Sequence, residues 1–251
     1  MKKLVLLAFS LVFPSALFAV PRLQLDVLGG TYVGGGDETV YATNDPFVLV
    51  ALLDPTTNVP VGENFDKFYI SAAIVPKVGE TSGGAPTADF GSFSINGTTY
   101  SYTGAASNMQ YGGPPVDNSN IFPTLPTHGI YATWFAEVQF YFGANDRAVV
   151  YNSMDDPGGL QTAANGGLLY HSFLVDTSGL NAGFAVHFDL YDEIIQQKKN
   201  STNYSLHFAP FSHDAQGETH AHEVPETVYN LGLLSAAVAL LGALRRRCSG
   251  R

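Results

Sequence analysis

The stretch Phe184-Ala185-Val186-His187-Phe188-Asp189-Leu190-Tyr191 decides the fold class of this chain. Every second residue from Phe184 to Leu190 is a large apolar one, while His187 and Asp189 occupy alternate positions. Successive side chains of an extended chain point to opposite faces, so a period of two gathers the apolar groups on one face. The stretch therefore predicts a half-buried β-strand with His187 and Asp189 on its solvent face.

Comparable alternation recurs along the chain and predicts further strands. The segment 134–142 carries aromatic side chains on both faces, which indicates a strand in the middle of a sheet. The pair Asn96-Gly97 suits the two positive φ angles of a type I′ turn, so residues 93–100 are predicted to form a β-hairpin. The other predicted strands are 23–28, 38–42, 46–53, 68–75, 148–151 and 168–175.

Helical periodicity is nearly absent before the C-terminal tail, and only residues 194–199 suggest a helical turn. The chain has 26 Gly and 14 Pro residues that punctuate many short apolar segments, which is typical of all-β domains. We therefore expect an all-β fold, namely an antiparallel two-sheet β-sandwich of jelly-roll type. Residues 103–125 are rich in Gly, Pro and Asn and are predicted to form a long surface loop.

Both ends of the chain carry targeting patterns. Lys2-Lys3, an apolar segment at 4–13 and small residues up to Ala19 predict a secretory signal peptide at 1–19, which would bring the chain to the Sec translocon. An uncleaved N-terminal anchor is the alternative, but the apolar segment is short for a membrane span. The predicted organisation continues with a β-sandwich domain at 20–215, a polar spacer with a sorting motif at 216–227, and a transmembrane helix with an Arg-rich tail at 228–251.

The C-terminal tail has three parts, which are the motif Val224, Pro225, Glu226 and Thr227, an apolar run at 228–244, and a basic stop of Arg245, Arg246 and Arg247. At about 1.5 Å per residue, the apolar run would form a helix of roughly 26 Å, near the roughly 30 Å thickness of a hydrocarbon core. Clustered arginines stay on the cytoplasmic side, so the rest of the chain would face outward. A buried C-terminal helix is the alternative, although such a helix would carry a polar stripe that this run lacks.

The tail resembles the PEP-CTERM sorting signal of Gram-negative bacteria, in which a Val-Pro-Glu-Pro-like motif precedes a transmembrane helix and an arginine cluster. Thr227 stands where that pattern has its second proline. The resemblance implies that an exosortase, a cysteine membrane protease-transpeptidase, cuts near Glu226 and Thr227 and discards the helix. It also implies an inner-membrane-anchored precursor facing the periplasm, followed by release to the cell surface or extracellular matrix.

The exported part of the chain resembles the choice-of-anchor N family over roughly residues 23–215. The resemblance is carried by Leu23-Gln24-Leu25-Asp26, by Gly29-Gly30-Thr31-Tyr32 and by Ala209-Pro210-Phe211-Ser212-His213-Asp214-Ala215. Members of this family share one exported domain and end in different sorting tails. The family resemblance implies no known activity, so it leaves the ligand of the domain open.

Charge and cysteine content limit the partners and the covalent cross-links of the exported domain. All 22 acidic residues lie within 20–227 together with six of the 12 basic residues, which amounts to a net charge of about −16 for the exported part. Such a charge disfavours binding to nucleic acid or to an anionic membrane surface and favours divalent cations. Because the single cysteine, Cys248, lies behind the arginines, the exported domain cannot contain an internal disulfide.

Catalytic motifs are absent from the sequence. It contains no Gly-x-Ser-x-Gly nucleophile elbow, and Gly34-Gly35-Gly36 lacks the Lys-Ser/Thr of a phosphate-binding loop and is read as a hairpin connection. A glycosidase needs two opposed carboxylates, which Glu137 and Asp189 would supply only if their strands were adjacent. We therefore predict that the protein is not an enzyme and has no catalytic residues.

No cofactor is predicted apart from one candidate site for a divalent cation. Histidines and carboxylates crowd into residues 207–223, and the site would be built from His213, Asp214, His220 and His222. The two imidazoles of His220-x-His222 would share one side of an extended chain, as zinc or nickel ligands require. The alternative readings are a flexible polar spacer for His220 and His222, and a loop-capping role for His213 and Asp214.

Three classes of function remain open. The first is an exported noncatalytic surface or extracellular-matrix protein that contacts extracellular polysaccharide. The second is a carbohydrate-binding module, which would need a flat row of exposed aromatic side chains, with Tyr100, Tyr102, Tyr111 and Tyr141 as candidates. The third is a hydrolase acting on matrix glycans. The targeting tail and the missing catalytic motifs favour the first class.

Overall fold

The computed structural model describes residues 20–34, 38–57, 66–77, 89–101, 108–112, 133–198, 201–210 and 213–219. This part of the chain forms β-strands in two sheets and one 3-10 helix at Pro55–Thr57, which confirms the expected all-β sandwich. The strands are β1 (Leu23–Val27), β2 (Thr31–Val33), β3 (Thr39–Tyr41), β4 (Phe47–Leu53), β5 (Asp66–Pro76), β6 (Ser92–Ile95), β7 (Thr98–Ser101), β8 (Gln110–Gly112), β9 (Thr133–Phe140), β10 (Arg147–Ala148), β11 (Leu168–Asp176), β12 (Phe184–Lys198), β13 (Ser201–Phe208) and β14 (Asp214–Glu218).

The two sheets differ in size and in strand direction. The six-stranded sheet has the order β1-β4-β11-β6-β7, with β10 paired to β11, and its described pairs are antiparallel. The eight-stranded sheet has the order β2-β3-β14-β12-β5-β9-β8, with β13 paired to β12. Within it β3 and β14 run parallel, so the prediction of a purely antiparallel sandwich was wrong at this pair. Because β3 and β14 lie far apart in the sequence, no hairpin turn forces them to run in opposite directions.

The core lies between the sheets and is filled from both sides. Phe47 of β4 meets Phe188 of β12 edge to face with ring centroids 6.1 Å apart, and Phe173 of β11 meets Phe140 of β9 at 5.1 Å. Edge-to-face pairs of this kind add to the stabilisation that burial of the rings provides. The inward faces predicted for 46–53, 134–142, 168–175 and 184–191 therefore meet in one apolar layer.

Strand β12 is the centre of the eight-stranded sheet and is longer than predicted. It pairs with β5 on one side and with β14 and then β13 on the other. The helical turn predicted at 194–199 was wrong, because Ile194 to Lys198 continue the strand and pair with β13. The prediction of a half-buried strand was also wrong. His187 and Asp189, expected on a solvent face, are 8% and 1% exposed.

Several shorter predictions can be checked residue by residue. The hairpin turn is confirmed, since Asn96 and Gly97 have φ angles of 49° and 78° and join β6 to β7. The strand predicted at 148–151 is limited to Arg147–Ala148. Strand β14 reaches Glu218, so the first residues of the predicted spacer at 216–227 belong to the sheet instead. Its backbone pairs with β3 and β12, which explains why a polar segment is ordered there.

The predicted targeting segments lie outside the described residues. These segments are the signal peptide at 1–19, the motif Val224 to Thr227, the apolar run at 228–244 and the basic stop Arg245 to Arg247. Most of the predicted surface loop at 103–125 lies outside them as well, apart from a section that contains β8. Among the described residues, no helix combines the length and apolarity needed to cross a membrane.

Candidate functional site

A buried group of ionisable side chains lies on the face of the eight-stranded sheet that points away from the core. His187 and Asp189 are two residues apart on β12 and therefore share a face. Asp214 begins β14, and since Phe188 pairs with Ala215, Asp214 lies beside Asp189 across the two strands. We call these three residues the His187 cluster.

The three side chains of the His187 cluster are close enough to interact directly. His187 Nε2 lies 3.2 Å from Asp214 Oδ2 and 3.7 Å from Asp189 Oδ1. One ligating atom of each residue lies within 4.8 Å of the others. Neither contact of His187 Nε2 has hydrogen-bond geometry, so the attraction between the groups is mainly electrostatic.

Electrostatics in the His187 cluster perturb both acid and base. Burial by itself would lower the pKa of His187, but Asp189 and Asp214 outweigh it and raise that pKa to about 10. Burial raises the pKa of Asp214, opposed by His187 and Thr39. With both carboxylates ionised and the imidazole protonated, the cluster would hold one uncompensated negative charge in a site where isolated charge is unfavourable.

Two neutral polar side chains border the His187 cluster on the same face. Ser71 of β5 pairs with Asp189, and Gln216 of β14 pairs with His187. Both residues are buried, and neither Ser71 Oγ nor Gln216 Nε2 has a hydrogen-bond partner. Five residues from three neighbouring strands thus gather polar atoms at one place.

The presence of Ser, His and Asp does not make this site a catalytic triad. A triad requires a hydrogen bond between the serine hydroxyl and the histidine that activates it. Ser71 Oγ and His187 Nε2 make no such bond, and Ser71 is fully buried. What the arrangement can do chemically is bind a proton or a cation between one imidazole and two carboxylates.

The metal ligands predicted from sequence divide between two places. Asp214 belongs to the His187 cluster, whereas His213 Nε2 lies 3.1 Å from Asn152 Oδ1 in another buried environment. Burial lowers the pKa of His213 to about 4, so this ring is neutral at physiological pH. The structure therefore does not bring His213 and Asp214 into one ligand set. His220 and His222 lie outside the described residues.

Sequence reasoning missed His187 as a site residue and did not place Asp189 beside it, considering Asp189 instead with Glu137 for glycan hydrolysis. The alternation of His187 and Asp189 with apolar residues was read as a solvent face, because a period of two separates two faces but does not say which is exposed. On that same face, Ala73 and Phe135 form a fully buried apolar patch. The paired polar positions in 184–191 were a local signal, but no sequence pattern links them to Asp214.

The carboxylates considered for glycan hydrolysis are not on adjacent strands. Strand β5 lies between Glu137 and Asp189, since Ser71 pairs with both of them. Two strand spacings place their backbones roughly 10 Å apart. Glu137 also accepts hydrogen bonds from Tyr191 Oη and, at 3.2 Å, from Gln110 Nε2. Its carboxylate is thus engaged within the sheet.

The tyrosines considered for carbohydrate stacking are spread over both sheets. Tyr100 of β7 is buried and stacks on Phe93 with ring centroids 5.2 Å apart. Tyr111 of β8 lies in the other sheet, is 40% exposed and contacts Trp134 edge to face. Tyr102 lies outside the described residues. Tyr100 and Tyr111 therefore do not belong to one flat row.

No protein-family model, curated protein or solved structure matches this chain.

Proposed function

We propose that this chain is an exported, noncatalytic surface or extracellular-matrix protein, whose jelly-roll-like β-sandwich is delivered by a PEP-CTERM-type signal. The observation that carries the proposal is the order of segments in the sequence. A signal-peptide pattern ending at Ala19 precedes the sandwich, and the motif Val224 to Thr227, an apolar run and three arginines follow it. This order provides for export first, temporary membrane anchoring second, and cleavage by an exosortase last.

The domain between the two targeting patterns suits a role outside the cell. It carries most of the negative charge of the chain and has no cysteine that an oxidising compartment would cross-link. Glu137 and Asp189, the carboxylates considered for hydrolysis, are separated by a strand and buried or engaged. These features favour a structural or binding role over catalysis.

Intact mass spectrometry of the protein recovered from its host, fraction by fraction, tests the proposal. We expect a species that begins near Val20 and ends near Glu226 or Thr227 in the surface or matrix fraction. The double variant Pro225→Ala, Glu226→Ala should instead remain in the inner membrane with residues 231–251 attached, because the exosortase would no longer recognise its motif.

Glu223→Ala provides a matched control, because it removes a carboxylate just outside the motif. This variant should be processed like the wild type. Equal processing of the double variant would contradict sorting by the motif, and a wild-type chain found only at full length in the inner membrane would contradict release.

A further inference from the structure

Buried polar atoms that lack a hydrogen bond converge at the His187 cluster. In the described part of the chain, these atoms include His187 Nε2, both Oδ atoms of Asp214, Ser71 Oγ and Gln216 Nε2. Leaving one such atom unsatisfied costs roughly 1 to 3 kcal/mol, so several at one place need an explanation. Asp189 completes the group through its contact with His187. A bound divalent cation, which would replace the proton on His187, would satisfy the acceptors among these atoms together.

The three ligand atoms lie within 4.8 Å of one another, so one metal ion could bind them all if the site contracted around it. Zinc binds imidazole nitrogen and carboxylate oxygen at about 2.0 to 2.2 Å, which puts neighbouring ligand atoms roughly 3 to 3.5 Å apart. His187 Nε2 is already 3.2 Å from Asp214 Oδ2 and 3.7 Å from Asp189 Oδ1. Because Nε2 faces both carboxylates, one ion between the three side chains could contact all of them.

The chemistry of the ligands selects the class of metal. Two carboxylates supply two negative charges, which a divalent cation neutralises in a buried site. The imidazole favours a transition metal such as Zn²⁺ over Ca²⁺, which takes oxygen ligands, and the two carboxylates also suit Mn²⁺. Ser71 on β5 and Gln216 on β14 are placed to hydrogen-bond to the ligands or to a water on the metal.

We propose that His187, Asp189 and Asp214 bind one divalent transition-metal ion that ties β14 to β12. Strand β14 is short and polar, and it is the link between β3 and the rest of the eight-stranded sheet. A metal ligated from both strands would hold this link in place. The site differs from the His220-x-His222 pair near the sorting motif and is independent of how the tail is processed.

Metal titration of the purified full chain tests this site. The protein is treated with EDTA, dialysed, and titrated with Zn²⁺ and Mn²⁺ by calorimetry and by thermal denaturation, with Mg²⁺ and Ca²⁺ as comparison ions. We expect one equivalent of Zn²⁺ or Mn²⁺ and a rise of roughly 5 °C or more in the midpoint at saturation. Asp214→Asn should weaken binding by at least about 100-fold, because it removes a charged ligand.

Two control variants distinguish this site from metal binding by carboxylates or histidines elsewhere in the chain. Asp26→Asn removes a buried carboxylate from the other sheet and should leave affinity unchanged. The double variant His220→Ala, His222→Ala should also bind one equivalent with wild-type affinity. Loss of binding in this double variant, together with retention in Asp214→Asn, would overturn the proposal. So would a wild-type chain that binds neither Zn²⁺ nor Mn²⁺.

X-ray absorption at the zinc edge keeps the test decisive if Asp214→Asn does not fold. Measured on the zinc-loaded wild-type chain, it should show one imidazole nitrogen and oxygen ligands only. Two or more imidazoles would assign the metal to other histidines and overturn the proposal.

Discussion

The outer faces of the two sheets both bury carboxylates, but they satisfy them differently. On the six-stranded sheet, Asp26 of β1 is fully buried and accepts hydrogen bonds from three donors. On the eight-stranded sheet, Asp189 and Asp214 are buried as deeply, yet neither oxygen of Asp214 accepts a hydrogen bond of good geometry. Asp26 and Asp214 are therefore buried to the same extent, but they differ in the number of well-aligned hydrogen-bond donors that reach them.

The Asp26 network, formed by Asp26, Tyr151, Gly158 and Val27, holds a loop onto the sheet. Tyr151 Oη donates to Asp26 Oδ2 at 2.7 Å, and the backbone N–H groups of Gly158 and Val27 donate to Oδ1 at 2.8 Å. Gly158 can approach because it has a φ of 74° and no Cβ, which would lie 2.5 Å from the backbone nitrogen of Gly29.

The difference in hydrogen bonding indicates that Asp26 is a structural carboxylate, whereas the carboxylates of the His187 cluster suit a ligand. The protein itself supplies donors to Asp26, so that site is complete without any further group. The His187 cluster concentrates charge and has polar atoms left over, which is what a site completed by a cation looks like before the cation binds. Measurements on the metal-free protein can test this contrast directly.

The largest effect is expected from Asp26→Ala. Removing the carboxylate leaves Tyr151 Oη and the N–H groups of Gly158 and Val27 without their acceptor in a buried place. At roughly 1 to 3 kcal/mol for each unsatisfied group, we expect a loss of about 3 to 5 kcal/mol in the free energy of unfolding. Denaturant titration measures this loss. A change below about 1 kcal/mol would show that water replaces the carboxylate and that the Asp26 network is not structural.

A slightly smaller effect is expected from pH. Burial raises the pKa of Asp26 from 3.8 to about 6, against the hydrogen bonds of Tyr151, Gly158 and Val27. A raised pKa in the folded state means that the folded protein holds this proton more tightly than the unfolded chain. Stability from Asp26 is thus complete below about pH 4 and is lost as the pH rises through about 6, by about 3 kcal/mol in total.

The matching control for this pH effect is Asp26→Asn, which cannot ionise. Between pH 4 and pH 7, the free energy of unfolding of the wild type should fall relative to that of the variant. Burial and the nearby Asp26 raise the pKa of Tyr151, so this neighbour stays protonated over the whole range. Parallel pH profiles of the two proteins would contradict a raised pKa at Asp26.

The smallest effects come from a matched pair of hydroxyl deletions, one on each sheet. Tyr151→Phe removes a hydroxyl that bonds to a buried carboxylate and should cost about 1 to 3 kcal/mol of stability. Ser71→Ala removes a buried hydroxyl without a hydrogen bond, so the metal-free variant should be as stable as the wild type or up to about 1 to 3 kcal/mol more stable, because an unsatisfied polar group is removed. Chemical denaturation of both variants measures the difference, and equal losses would remove the contrast between the sheets.

Local sequence patterns were sufficient for much of the fold. Alternation predicted most of the strands that fill the core, and Asn96-Gly97 predicted a turn that requires two positive φ angles. Strand β13 carried the same kind of local signal, since Tyr204, Leu206 and Phe208 repeat with a period of two, but this signal was overlooked. These features depend on neighbours in the chain, so local propensity is enough to detect them.

Strand β14 had no such signal. Its sequence, Asp214-Ala215-Gln216-Gly217-Glu218, contains no large apolar residue. The segment becomes a strand because β12 and β3 supply backbone partners on its two sides. Gly217 also leaves room for the ring of Phe47, which would lie 2.4 Å from a Cβ at that position. Only the assembled sheet creates these conditions.

The sequence by itself determined the all-β class, the strand faces that form the core, and the segment order from which export is proposed. Only the tertiary structure decided that the second face of β12 is buried and that Asp214 joins His187 and Asp189 there. The physical reason is that side-chain alternation follows from backbone geometry within one strand. Burial of a face, and contact between residues far apart in the chain, depend on what packs against that face.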